Sequence, residues 1–164
     1  MKKIGVISDT HYPRRRKSLP EELLRGLQGV DLILHAGDLT DEEMLWLLEE
    51  IAPVTAVAGN CDGWDLAEHL GEKKIITVER VKIGLTHGYT GQGRTTLERA
   101  FSQFAGEGID CLVFGHSHQP YNSYHQGLLF FNPGSPTDKR SCPDYSYGIL
   151  EVNGKNIKGY HYYF

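Results

Sequence analysis

Ile4-Gly5-Val6-Ile7-Ser8-Asp9-Thr10-His11 is an apolar run that breaks into two side chains able to bind a cation. A short apolar run of this kind reads as a fully buried strand, Ile4 to Ser8, of the sort found inside parallel sheets. The same grammar recurs downstream. Leu32 to Ala36 leads into Gly37-Asp38, and Val54 to Ala58 leads into Gly59-Asn60. Between these strands, Pro20 to Leu27 and Asp41 to Glu50 read as helices. Ser18 is the expected cap of the first, with Pro20 in its first turn. Thr40 is the expected cap of the second, with Met44, Leu45, Leu47 and Leu48 on its inner face. A β-α-β-α-β run implies right-handed crossovers and a parallel sheet.

Further along, Lys74 to Val78 and Val81 to Thr86 read as a hairpin across Glu79-Arg80. Thr95 to Phe104 reads as a helix and Cys111 to Phe114 as another parallel-type strand. The last third changes character. Tyr121 to His125, Leu128 to Asn132, Tyr147 to Val152 and Ile157 to Tyr163 read as strands joined by turns such as Asn153-Gly154. Helices early and antiparallel strands late predict a layered α/β sandwich, and 164 residues fit one domain spanning 1–164.

Composition bounds the function. Seventeen Lys and Arg against 21 Asp and Glu give a net charge of −4, so no stable nucleic-acid partner and no anionic membrane surface are expected. No apolar run approaches the ~20 residues of a membrane span, and Met1-Lys2-Lys3 enters a strand directly. The odd, widely spaced Cys61, Cys111 and Cys142 read as reduced thiols of a cytoplasmic protein.

The chemistry is expected at strand ends, where open α/β sheets bind ligands. Asp9 and His11, Asp38, Asn60, His87, and His116 and His118 follow five separate strands. In Asp9-Thr10-His11 and His116-Ser117-His118, donors two apart in extended chain would share one side, roughly 6–7 Å between Cα atoms. Two carboxylates, an amide and four imidazoles make an oxygen and nitrogen set without thiolate. Such a set suits Mn, Fe, Zn, Co or Ni better than Ca or Mg. Gly37, Gly59, Gly88 and Gly115 stand beside the donors, where a backbone turns sharply or approaches a bound group.

Ser8-Asp9-Thr10-His11, Gly37-Asp38-Leu39-Thr40-Asp41, Gly59-Asn60-Cys61-Asp62, Thr86-His87-Gly88 and Gly115-His116-Ser117-His118 resemble, in order, the signature of the calcineurin-like metallophosphoesterases. Ser18-Leu19-Pro20 and Asn132-Pro133-Gly134-Ser135 resemble its small prokaryotic phosphodiesterases, whose eukaryotic relative is the scaffold subunit of retromer. The resemblance implies an α/β/β/α sandwich with mixed sheets and two divalent metal ions, Mn foremost. Asp9, His11 and His118 would hold one ion and Asn60, His87 and His116 the other. Asp38 would bridge them, and a hydroxide between the metals would attack phosphorus. Asp38, Asn60 and His87 are the positions given a catalytic role. The implied substrate is a small-molecule or nucleotide-like phosphodiester. A phosphomonoesterase and a non-catalytic interaction scaffold are the alternatives, and self-association stays open.

One position departs from the superfamily pattern. Cys61 stands where a His commonly assists the leaving group, although Asp41 is retained. The exchange is shared by the subgroup, and simple packing is the first expectation for this thiol. Arg14-Arg15-Arg16-Lys17 reads as a solvated loop, with a phosphate clamp as the sharper alternative. His35 is expected beside the site or in the core, and His69, His125 and His161 elsewhere. Ser117 reads as a linker between ligands, and the tyrosines from Tyr145 to Tyr163 as sheet packing.

Overall fold

The structure, a computed structural model, describes residues 1–13 and 18–164. The basic stretch from Arg14 to Lys17, and with it the phosphate-clamp reading, lies outside the described residues. Among the described residues fourteen elements follow one another: β1 (Lys2–Ile7), α1 (Glu21–Gly26), β2 (Leu32–His35), α2 (Glu43–Glu49), β3 (Val54–Ala56), α3 (Trp64–Leu70), β4 (Lys73–Val78), β5 (Val81–Thr86), α4 (Thr96–Ser102), β6 (Cys111–Val113), β7 (Tyr121–His125), β8 (Leu128–Asn132), β9 (Ser146–Asn153) and β10 (Asn156–Tyr163).

They form two five-stranded mixed sheets, ordered β10-β9-β1-β2-β3 and β4-β5-β6-β8-β7. In the first sheet β1, β2 and β3 run parallel, and β9 and β10 extend it antiparallel from β1. In the second, β5, β6 and β8 run parallel between antiparallel β4 and β7. The late strands therefore do not form a unit of their own: β7 and β8 join one sheet, β9 and β10 the other.

Burial explains the apolar runs. Along β1 and β2, Ile4, Val6 and Leu34 face the second sheet and meet Ile83, Leu85, Val113 and Phe131. The alternate residues Ile7 and Ile33 face outward onto Leu23, Leu27, Met44 and Leu48 of the helical layer. A strand covered on both faces needs apolar residues at every position, which hides the two-residue period. On the far side, Ala100 and Phe104 cover Leu112 and Phe130. The four layers are the expected α/β/β/α sandwich.

Local expectations fared unevenly. Helix α1 starts after Pro20 and α2 after Glu42, neither with a side-chain cap, so Ser18 and Thr40 are not the caps. The Thr40 hydroxyl donates instead to the Tyr12 carbonyl, and Asp41 Oδ1 takes the Glu43 N–H at 2.8 Å. Helix α3 escaped the sequence reading because only Leu70 of its seven residues is buried, with Leu66 and Ala67 partly covered. Helix α4 has a full capping box, with Thr95 Oγ1 accepting from Glu98 N at 3.1 Å and Glu98 Oε2 accepting from Thr95 N at 3.3 Å. Thr95→Ala should cost about 1 kcal/mol of stability, read as a lowered urea midpoint with unchanged slope. Among the described residues no helix is long and apolar enough to cross a membrane.

Candidate metal centre

The carboxyl ends of β1, β2, β3, β5 and β6 bring Asp9, His11, Asp38, Asn60, His87, His116 and His118 to one end of the sandwich. The backbone there is not extended, as the spacing had led us to expect. Asp9 (φ 57°), His11 (φ 46°), Asp38 (φ 59°), His116 (φ 69°) and His118 (φ 60°) all lie in the left-handed region. That conformation costs an L-residue roughly 1–2 kcal/mol and is held only where neighbours over-determine it. Here Asp9 N donates to Gly37 O at 2.9 Å, His11 N to Asp38 O at 3.0 Å and His116 N to Asp9 Oδ2 at 3.0 Å. The turns, rather than a pleat, aim the donors inward.

Two glycines admit this packing. A Cβ on Gly59 would lie 2.2 Å from Asp38 Oδ1, and one on Gly115 would lie 1.9 Å from Ser8 Oγ. Neither position has room for a side chain.

The donors converge on two places. Asn60 Oδ1 lies 3.0 Å from His87 Nε2 and 3.1 Å from His116 Nδ1. Asp9 Oδ1 lies 3.4 Å from His118 Nε2 and 4.0 Å from His11 Nε2. Asp38 Oδ2 stands between them, 3.2 Å from His87 Nε2 and 3.6 Å from His11 Nε2. Asp9 Oδ1, His11 Nε2 and His118 Nε2 are buried and have no hydrogen-bond partner among the described residues. Leaving one such atom unpaired costs about 1–3 kcal/mol. Three of them facing one another form a cradle that a cation would satisfy, so the residues fit the expected metal.

Tautomers support the fit. His87 Nδ1 is 2.6 Å from the Ala36 carbonyl and His118 Nδ1 bonds the Asp138 carbonyl. A proton on each Nδ1 leaves Nε2 free to ligate. Burial alone would lower the His87 pKa, but the Asp38 hydrogen bond and the charges of Asp9 and Asp38 raise it to about 9. Burial raises the Asp38 carboxyl, yet the His87 hydrogen bond and charge outweigh that and hold it below the usual range. Burial lowers both His11 and His116, keeping them neutral.

Several supporting residues were missed in the sequence reading. The Asp62 carboxylate accepts from Asp38 N at 2.9 Å, Gly59 N at 2.7 Å and Thr40 N at 2.7 Å, tying two ligand loops together. Ser135 Oγ donates to Asp9 O at 2.8 Å, and Thr137 Oγ1 to Thr10 O at 2.7 Å. Asn132 Nδ2 holds Gly115 O at 3.0 Å and Ser117 Oγ at 3.1 Å, so Ser117 is engaged in the turn. Asp62, Asn132 and Ser135 do stand within the quoted motifs, but nothing in those motifs gave them a bracing role. His35 sits beneath the site, accepting from Gly37 N at 3.2 Å and lying 3.0 Å from Thr10 Oγ1, with burial holding its pKa down to about 3.

Residues 1–155 match the calcineurin-like phosphoesterase superfamily domain. A probable metallophosphoesterase of Methanocaldococcus jannaschii is 40% identical over 155 residues, spanning 93% of this chain and 77% of the relative. One of Methanothermobacter thermautotrophicus is 37% identical over 158 residues, spanning 94% and 88%. Among solved structures, Vps29 from Entamoeba histolytica complexed with Zn2+ is similar at a TM-score of 0.83 and 28% identity, covering 98% of this chain and 92% of that one.

Proposed function

The chain belongs to the calcineurin-like phosphoesterase superfamily, and from that premise we propose that it hydrolyses phosphodiesters at a centre of two divalent cations. The observation that carries this reading is the trio of buried atoms Asp9 Oδ1, His11 Nε2 and His118 Nε2, unpartnered among the described residues. Asp9, His11 and His118 would hold one ion, Asn60, His87 and His116 the other, with Asp38 shared. When bound, the ions supply Lewis acidity, polarising phosphoryl oxygens and lowering the pKa of water to make a nucleophile.

The chain's own residues set charge and orientation. Asp9 and Asp38 bring −2 against +4 from the ions, leaving a net positive site for an anionic ester. The half-buried His116 and exposed Asn60 form the open rim through which a substrate reaches the buried donors. No imidazole stands at position 61 to protonate a leaving group, which favours diesters and good leaving groups over monoesters of basic alcohols.

Purified chain loaded with Mn2+ should contain two ions and cleave activated diesters, as read by metal analysis and a panel of diesters and monoesters. One ion per chain would overturn the two-metal reading. The likeness to Vps29 supports a second reading, an interaction scaffold with the same fold, and a loaded protein inert across the panel would put that reading in place of the enzyme. Uptake of metal should also release protons. An ordinary imidazole, with pKa near 6.5, competes with metal only in acid. His87, raised to about 9, is protonated in the metal-free protein at neutral pH and must shed that proton to ligate. Metal affinity should therefore climb between pH 7 and about 9, with His87 contributing close to one released proton near neutrality. Calorimetry in buffers of different ionisation enthalpy measures this, and zero release would remove His87 from the ligand set.

A further inference from the structure

We infer that Cys61 is itself a ligand of this centre, bound through its sulfur as a thiolate, and that it biases the centre toward thiophilic cations such as Zn2+. The inference rests on the metal-centre reading above and changes its donor set, which the sequence presents as oxygen and nitrogen only. Packing does not account for the residue, because Cys61 is exposed. Its sulfur, His11 and the Asp38 carboxylate place their ligand atoms within 4.8 Å of one another. A zinc ion bound at about 2.3 Å from sulfur and 2.1 Å from nitrogen spans donors up to roughly 4.4 Å apart, so small side-chain rotations close this set on one ion.

Two further contacts hold the thiol there. Cys61 N donates to Asp38 Oδ1 at 2.8 Å, which fixes the loop against the shared carboxylate. Asn60 Nδ2 lies 3.6 Å from Cys61 Sγ and orients it. Independently of the cysteine, the buried Nε2 of His11 has no hydrogen-bond partner among the described residues and is directed into the same space. Ligation breaks the S–H bond heterolytically: the electron pair stays on sulfur and is donated to the ion, the proton passes to solvent, and nothing is oxidised. A soft sulfur donor strengthens binding of Zn2+ or Co2+ far more than of Mg2+ or Mn2+.

The test is a Co2+ titration of the metal-free full chain and of Cys61→Ser. Wild type should develop a near-ultraviolet sulfur-to-cobalt charge-transfer band along with the visible ligand-field bands. The serine variant should keep the visible bands and lose the ultraviolet one. Its Zn2+ affinity should fall by about 10-fold or more, a scale reached even by residues that merely support a metal ligand. In wild type, bound Zn2+ should also protect Cys61 from iodoacetamide, read by peptide mass spectrometry, which tests the idea without any substitution. Visible bands without the charge-transfer band in wild type, or unprotected Cys61 in the zinc-loaded protein, would overturn the inference and leave the centre standing. Absence of any Co2+ binding would remove the centre and the inference together.

Discussion

Asp38→Asn will lose metal and turnover together. The substitution preserves shape, and the amide oxygen can still accept the Cys61 N–H that Asp38 Oδ1 now takes at 2.8 Å. What it removes is a negative charge placed 3.2 Å from His87 Nε2 and 3.6 Å from His11 Nε2, between the two proposed ion positions. Metal content should drop from two ions per chain to one or none. The rate on an activated diester should fall by at least about 10³-fold, or ~4 kcal/mol of transition-state stabilisation. A readout independent of catalysis accompanies these. Because the Asp38 hydrogen bond and charge help hold the His87 pKa up near 9, an NMR titration of the metal-free variant should find that pKa lowered. Retention of two ions with a rate within about tenfold of wild type would exclude Asp38 as the shared ligand.

Asp62→Ala tests the support beneath the site. Its carboxylate is the acceptor for three backbone N–H groups from Asp38, Thr40 and Gly59. Bonds to a charged acceptor contribute about 1.5–3 kcal/mol each, but they are not additive and Asp62 is half-buried. A loss of roughly 2–4 kcal/mol is expected in the urea unfolding of the metal-free protein. Metal affinity should also weaken, by about 10–100-fold, since Asp62 positions Asp38 without being part of the buried cradle. A stability change below about 0.5 kcal/mol would show that the two loops hold themselves without it.

Much of the architecture was legible because the relevant signals are local. Apolar runs at Ile4 and Leu32 mark strands covered on both faces, those at Val54 and Val81 mark strands covered less completely, and the polar break after each marks a carboxyl end. Element boundaries moved by a residue or two, and α3 was lost, because a helix that buries one leucine leaves no periodic pattern to read. The caps were misassigned for a related reason. Thr40 has the chemistry of a cap, but its N–H and hydroxyl are taken by Asp62 and by the Tyr12 carbonyl across the site.

By itself, the sequence determined which residues stand at strand ends, since donor identity and spacing are written along the chain. Uninterrupted apolar runs marked strands covered on both faces, while the four-layer order came with the family resemblance. Only the tertiary structure decided how the donors are aimed, because five of them occupy left-handed backbone conformations held by hydrogen bonds from distant loops. It alone revealed that Asp62, Ser135 and Thr137 brace those loops, and that β9 and β10 complete the first sheet rather than the second. It also moved Cys61 from the role of packing residue to the vicinity of His11 and Asp38. These are long-range facts: they depend on which carbonyls, carboxylates and imidazoles meet after the two sheets have packed, and no interval along the chain encodes that meeting.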